Sequence, residues 1–220
     1  MTFSTMLDKR YSCRAFLDKP VDSAVLQRVF EKAQRSPSNC NVQPWQVIVV
    51  SGEKKTQLAQ QLVEEVIKVQ KPYPDFNWLP AYEGVHRERQ FGSANALYSA
   101  MGIERQDKVK RQQAMLRNWQ FFDAPHVAFF TMDKYLDIMG AVDIGIYAQT
   151  LSMLMYEEGI SSCMQGALGQ FPNPIKSLCE LPEERGILFG MSFGYADSKA
   201  DANQARTVRE PVSNSVLFID

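Results

Sequence analysis

The chain has 220 residues, of which 45% are hydrophobic and 22% charged, and a formal net charge of −1. That length buries a full core as one domain or two small ones, the composition is that of an ordinary globular protein, and the charge balance implies neither a nucleic-acid nor another polyanionic partner. The four cysteines, Cys13, Cys40, Cys163 and Cys179, lack CxxC spacing and read as reduced thiols of a cytoplasmic protein, while two distant histidines, His86 and His126, give little support to a metal site or to histidine acid–base chemistry.

The N-terminus, MTFSTMLDKRYS, lacks the apolar run of a signal peptide. In KRYSCR, Lys9 to Arg14, an extended chain would point Arg10, Ser12 and Arg14 to one side. Two guanidinium groups and a hydroxyl so placed suit a phosphate beside a carbonyl-rich ring, because arginine grips phosphate in a planar, bidentate way. In isolation the same pattern is also that of a solvated charged edge. Asp22 is the expected N-cap of a helix running to about Arg35, with Val25, Leu26, Val29, Phe30 and Ala33 on one face, and Pro37 stops it. SPSNCNVQPW, Ser36 to Trp45, then crowds short hydrogen-bonding side chains ahead of the strand WQVIVV, Trp45 to Val50. Turns use such residues for backbone reasons; binding loops use them because short side chains and amides reach a ligand. A second helix is expected from about Lys54 to Gln70, with the stripe Leu58, Leu62, Val66 and Val69.

From Pro72 to about Asn118, proline and aromatic residues give way to the basic, partly helical HRERQ and ERQDKVKRQQ. This stretch reads as an insertion or lid, and equally as a solvated helical excursion pinned to the body by its aromatics. APHVAFFTM, Ala124 to Met132, is a strand. Asp137 to Gly159 is a long helix, apolar on nearly all sides. Asp143 and Gln149 interrupt its apolar run, so it is a buried helix rather than a membrane span, central to a large core or an interface. Close packing against another helix is the expected reason for Gly140 and Gly145, and Gly159 is the natural C-cap. ISSCMQGA is a short strand entering a turn, Asn173-Pro174 opens a short helix, and GILFGMSFGY is a further strand. The tail is polar until VLFI, Val216 to Ile219. Its Arg206 and Arg209 are surface charge on their own, and part of an anion site if they meet Arg10 and Ser12. There is no internal repeat, no GxGxxG or GxxxxGK[ST] phosphate loop, and no GxSxG, HExxH or DxDxDG motif.

RYSCRAF, SPSNCNVQPWQVIVVSG, FFDAPHVAFF, the glycine-containing helix followed by EEGISSCMQGAL, and GYAD with ARTVREP stand in the order seen in FMN-dependent nitroreductases. The chain resembles, over essentially its whole length, the branch that includes nitrobenzoate reductase-like proteins. The resemblance implies an α+β fold, a mixed or antiparallel sheet flanked by helices. It implies a single domain over residues 1–220, with the lid or insertion at about 72–118, packed as an intertwined homodimer with two FMN sites at the interface. Arg10 and Ser12 resemble the residues that hold the FMN phosphate and ribityl chain, with the backbone of Tyr11 between them. Arg14 resembles the basic residue beside the pyrimidine edge of the ring. Arg209 best matches the family's phosphate-binding arginine; Arg206 matches at a spacing that varies between branches. Pro37, Ser38, Asn39 and Asn41 resemble the loop that reaches the flavin of the other subunit. Met164, Gln165, Gly166 and Ala167 resemble the turn whose backbone runs along the flavin near N5. Many members carry a proline before that turn and an acidic residue within it; Met164 and Gly166 stand there instead.

The activity implied is reduction of electron-poor small molecules, such as nitroaromatics or quinones, by NADH or NADPH through FMN, with ping-pong kinetics. No side chain is assigned as a catalytic acid or base; Arg14 is the expected electrostatic stabiliser. Tyr73, Phe76, Trp78, Tyr82 and Trp119 are candidate walls for a flat acceptor, or equally packing residues. Reductive dehalogenases and a flavin-fragmenting enzyme share the fold, and a flavin-binding regulatory dimer with negligible turnover is the alternative from another class. No metal and no membrane association are expected. Val216 to Ile219 is expected to add to the partner's sheet, with folding back onto its own chain as the alternative.

Overall fold

In the computed structural model, which describes residues 2–77 and 81–219, the two periodicities of the sequence separate into one sheet and the helices that cover it. Strands β1 (Gln46–Ser51), β2 (His126–Asp133), β3 (Ser161–Gln165) and β4 (Arg185–Gly194) lie in the order β1-β2-β4-β3. Every pairing is antiparallel, so of the two sheet types expected the antiparallel one is found, in an α+β fold. The inner strand β2 is buried from His126 to Met132, because both faces of the sheet are covered. Its side chains alternate between them. Ala128, Phe130 and Met132 face a cluster built on α6 (Asp137–Glu157) and α2 (Ser23–Ala33). Val127 and Phe129 face a second cluster, with Leu58 and Leu62 of α3 (Gly52–Val69) and Ile175 of α7 (Asn173–Cys179).

Local signals account for most boundaries. The Asp22 carboxylate accepts the Ala24 N–H at 2.8 Å, the expected cap of α2. Gly159, at φ +75°, follows α6 in the left-handed region that glycine tolerates. Gly140 is required by close packing: a Cβ there would lie 2.8 Å from both Leu136 Cβ and Met132 Sδ. The neighbours are β2 and the turn before α6 rather than another helix, and Gly145 has open space within 4 Å, so close packing explains only one of the two glycines. One helix escaped the periodicity reading. The short α1 (Phe3–Lys9), capped by the Thr2 side chain, buries only Met6 and so carries no apolar stripe.

Segment 72–118 contains α4 (Gly84–Ala100) and α5 (Lys108–Leu116), neither with a buried residue. Its start is pinned. The buried Asp75 carboxylate contacts Lys176 at 2.6 Å and Lys134 at 3.4 Å and accepts the Ile187 N–H at 3.0 Å. Phe76 lies against Gly186, where a Cβ would come within 2.5 Å of its ring. Helix α6 has the length and composition to cross a membrane, and half of that stretch is buried inside the protein. Its other side leaves Ile138, Met139, Val142 and Ile146 exposed by 71, 51, 53 and 39%.

Candidate functional site

The segment after α1 leaves the helix at Arg10 and runs extended beside the sheet. Cys13 N–H donates to Ser162 C=O of edge strand β3 at 3.1 Å, and Leu17 N–H to Tyr195 C=O at 2.8 Å. The buried Asn203 side chain then ties the tail to it: Oδ1 accepts the Arg14 N–H at 2.7 Å, and Nδ2 donates to the carbonyls of Ala15 and Asp197, both at 2.8 Å. Arg10, Tyr11, Ser12 and Arg14 thereby share one cleft of about 340 Å³ with Arg206 and Arg209, closed by Leu7 and Asp8 of α1 and by Ser93 and Leu97 of α4. Four guanidinium groups and a single carboxylate line it.

The arginines are held locally. Arg206 lies over the Tyr11 ring at 4.1 Å and donates to the Asn203 and Ala205 carbonyls at 2.7 and 2.9 Å. Arg209 folds back on the Thr207 and Val208 carbonyls, and Arg14 Nη1 donates to Ser12 C=O at 3.2 Å. Burial raises the Tyr11 phenol, with Arg206 opposing. Burial also pushes the Cys13 thiol up to about 11 and raises Cys163, so neither thiol beside the cleft is a ready nucleophile. His126 is a core residue. Its Nε2 accepts the Val21 N–H at 2.9 Å, which leaves the proton on Nδ1, 2.5 Å from Ser51 Oγ.

The 164–167 turn lines a separate apolar cleft of about 450 Å³, where Met164 and Gly166 face Phe76, Asn77, Gly145 and Phe189. The Gln165 side chain points away from it: Nε2 donates to Asn118 C=O at 2.8 Å and Oε1 accepts from Ser192. Only the backbone of Gln165 is left for a ligand. Pro37, Ser38, Asn39 and Asn41 do not line the arginine cleft of their own chain. Ser38 Oγ accepts the Gln43 N–H at 3.0 Å and so serves the turn itself, whereas Asn39 and Asn41 are exposed. The loop is anchored by the buried Asp143 of α6, whose two carboxylate oxygens accept the Asn39 N–H at 3.1 and 3.2 Å. A third cleft, of about 480 Å³, opens from Arg14 along α4 past Tyr82, His86 and Arg89.

Among the candidate aromatic walls, Phe76 and Tyr82 line clefts. Tyr73 and Trp119 do not. Tyr73 bonds to Glu65 and meets Phe171 edge-on, and Trp119 is 5% exposed and packs on the same ring. Trp78 lies outside the described residues. Sequence reasoning missed Asp143, Asn203, Ser93 and Leu97. A carboxylate inside an apolar helix was a usable signal for Asp143, while nothing in the local pattern marks Asn203.

The nitroreductase family matches residues 7–195. Nitroreductase NfnB of Mycolicibacterium smegmatis is 36% identical over 217 residues, covering 97% of this chain and 91% of that protein. A 4-nitrobenzoate reductase of Pseudomonas putida is 33% identical over 219 residues, covering 99% and 95%. Among solved structures, the FMN-dependent nitroreductase NfnB from Mycobacterium smegmatis in complex with NADPH superposes with a TM-score of 0.94 at 34% identity, covering 99% of this chain and 97% of that one. Similarity of sequence and of fold over nearly the whole length has one consequence: the chain belongs to the nitroreductase family.

Proposed function

We propose that the chain is a homodimeric, cytoplasmic oxidoreductase that binds one FMN per subunit. It takes reducing equivalents from NADH or NADPH and delivers them in a separate half-reaction to electron-poor small molecules such as nitroaromatics or quinones. The observation that carries this reading is the meeting of Arg10, Ser12 and Arg14 with Arg206 and Arg209 in one cleft. A phosphate dianion fits that donor set, since each desolvated charge-assisted hydrogen bond contributes about 1.5–3 kcal/mol. FMN, when bound, supplies the hydride chemistry. Arg10, Ser12, Arg206 and Arg209 hold its phosphate end. Arg14, at the junction with the third cleft, favours negative charge on the ring edge beside it. Gln165 of the 164–167 turn offers only its backbone, because its side chain is already engaged, while Met164 lines the apolar cleft.

A dimer is supported by the exposed stripe Ile138, Met139, Val142 and Ile146, which a lone chain would leave in water, and by a 37–41 loop that does not line the arginine cleft of its own chain. The four unpaired cysteines accord with the cytoplasm. We read residues 1–220 as one domain in which 72–118 acts as the lid, since Ser93 and Leu97 of α4 close the arginine cleft. The test is purification followed by anaerobic mixing with each nucleotide. A yellow protein with one FMN per chain, bleached by NADH or NADPH, is expected, and Arg10→Ala should weaken FMN binding by at least about tenfold. Unchanged FMN affinity in that variant overturns the phosphate assignment; flavin that no nucleotide bleaches overturns the enzymatic one.

A further inference from the structure

The cleft of about 480 Å³ along α4 shares Arg14, Ser93 and Leu97 with the arginine cleft. Helix α4 is their common wall, and Arg14 stands where they join. Beyond the join the lining becomes Tyr82, His86, Arg89 and Gln90, none of them a carboxylate, and Glu210 of the tail reaches Arg89 from outside that lining. His86, Arg89 and Gln90 stand at i, i+3 and i+4, so one face of the helix presents all three. Arg87, on the same helix, is turned elsewhere, over the Phe91 ring at 5.4 Å.

Arg89 is only partly engaged. Its Nε donates to Glu210 Oε1 of the tail at 3.2 Å, while the other oxygen of Glu210 accepts from Asn214 Nδ2 at 2.9 Å. Nη1 and Nη2 of Arg89 have no hydrogen-bond acceptor among the described residues, and the side chain is 44% exposed. A guanidinium with one edge held and the other open is oriented for a second, planar oxyanion. Tyr82, 48% exposed at the same cleft, offers a ring face.

We propose that this cleft is an oxyanion-recognition subsite. Arg89, flanked by His86 and Gln90, takes the carboxylate or phosphate of the molecule that reacts beside Arg14, and Tyr82 packs on its flat part. The inference rests on the reading that the arginine cleft holds FMN. One chemistry serves two sources: a carboxylate carried by an aromatic acceptor, or the 2′-phosphate that separates NADPH from NADH.

The pairing with Glu210 makes the subsite testable by sign. Arg89→Gln and Glu210→Gln break the same ion pair. If that pair merely clips the tail to α4, both variants shift every ligand in the same direction. If Arg89 recognises an oxyanion, the two variants act oppositely. Calorimetric titration of the protein as purified with 4-nitrobenzoate against 4-nitrobenzamide, and with NADP⁺ against NAD⁺, reads this without turnover. Arg89→Gln should weaken the anionic member of one pair by about tenfold or more and its neutral or unphosphorylated counterpart by less than about twofold. Glu210→Gln, which removes a competing carboxylate, should tighten the same anionic probe. A loss confined to 4-nitrobenzoate identifies an acceptor carboxylate, and one confined to NADP⁺ identifies the nucleotide phosphate. Anion-to-neutral ratios unchanged in Arg89→Gln, or equal losses on all four probes, overturn the proposal, as does a parent protein that binds none of them. FMN content of the same preparations reports separately on the underlying reading. A parent with one FMN per chain and no anion preference sinks the subsite alone; anion preference without FMN sinks the cofactor assignment alone.

Discussion

At the scale of single residues, two buried polar side chains hold backbone from distant segments, Asn203 beside the cleft and His126 in the core. Asn203, 2% exposed, makes three hydrogen bonds that hold the tail against residues 14 and 15. Asn203→Ala strands the carbonyl of buried Ala15, at a cost of about 1–3 kcal/mol for a buried group left unsatisfied, and releases the part-buried Arg14 N–H and Asp197 carbonyl. Equilibrium urea unfolding should show that loss, and FMN titration should show weaker binding, because the lost side-chain bonds fix the tail that carries Arg206 and Arg209 against residues 14 and 15. Normal stability with normal FMN affinity would mean the tail is held by other contacts. His126 is the second case. Burial first, and Lys55 second, lower its pKa from the ordinary 6.5, and its Nε2 must stay unprotonated to accept from Val21. The unfolded chain therefore binds the proton more readily than the folded one. The stabilisation is complete above about pH 6.5 and declines as pH falls toward the lower folded-state value. Denaturation midpoints measured from pH 7.5 to 5 should drop accordingly, and His126→Asn should flatten that part of the profile; an equally steep profile in the variant would place the titration elsewhere.

At the scale of elements, α6 does two jobs with two faces. Ile144, Tyr147, Ala148 and Leu151 are buried against the sheet, while Ile138, Val142 and Ile146 are exposed at helical spacing. The two glycines separate packing from propensity. Gly140→Ala gains about 1 kcal/mol of helix propensity but drives a methyl to 2.8 Å from Leu136 Cβ, which cannot swing away. Overpacking of that kind costs about 1–3 kcal/mol, so a net loss of stability is expected. Gly145→Ala meets open space and should be neutral to about 1 kcal/mol stabilising. Thermal unfolding of the pair checks the contrast; stabilisation at both positions would show that the backbone near Met132 relaxes. Helix α4 carries the opposite lesson. It has no buried residue and no apolar stripe, yet it forms a wall of two clefts, so its importance is invisible to a search for periodicity.

At the scale of the whole molecule, the exposed apolar surfaces are those that the proposed second copy would cover. Val216, Leu217, Phe218 and Ile219 are exposed by 48, 82, 78 and 86% and pair with no strand of their own chain among the described residues. Strand β1 is a sheet edge, with an apolar shelf beside it that includes Leu26, Phe30, Val47 and Val49. An open edge is a template for an added strand, and burying each large apolar side chain contributes about 1.5–3 kcal/mol. We expect the tail of one subunit to add to the sheet of the other. Photo-crosslinking from position 218 in isotopically mixed dimers should give inter-chain products, and truncation after Ser213 should weaken the dimer and release FMN with monomer. Predominantly intra-chain products, or a truncated dimer of unchanged stability, would refute this.

What the sequence determined by itself is what local chemistry controls. The caps at Asp22 and Gly159 and the strands around residues 46–50 and 126–132 follow from neighbours within a turn or a pleat, whereas Tyr11 lines the same cleft as Arg10, Ser12 and Arg14, so strict alternation does not describe that segment. The resemblance in motif order pointed to the family, but not to which side chains stay available for a ligand. Tyr73, Phe76, Tyr82 and Trp119 look alike in a proline-rich stretch; packing made Phe76 and Tyr82 cleft walls and sent Tyr73 and Trp119 to their packing against Phe171. Gln165, read as part of a cofactor turn, spends its side chain inward on Asn118 and Ser192. The meeting of residues 10–14 with 206–209 was decided by tertiary structure alone. It depends on Asn203 bonding to residues 189 and 188 positions away, and no local rule specifies a bond between two segments that only the assembled sheet brings side by side.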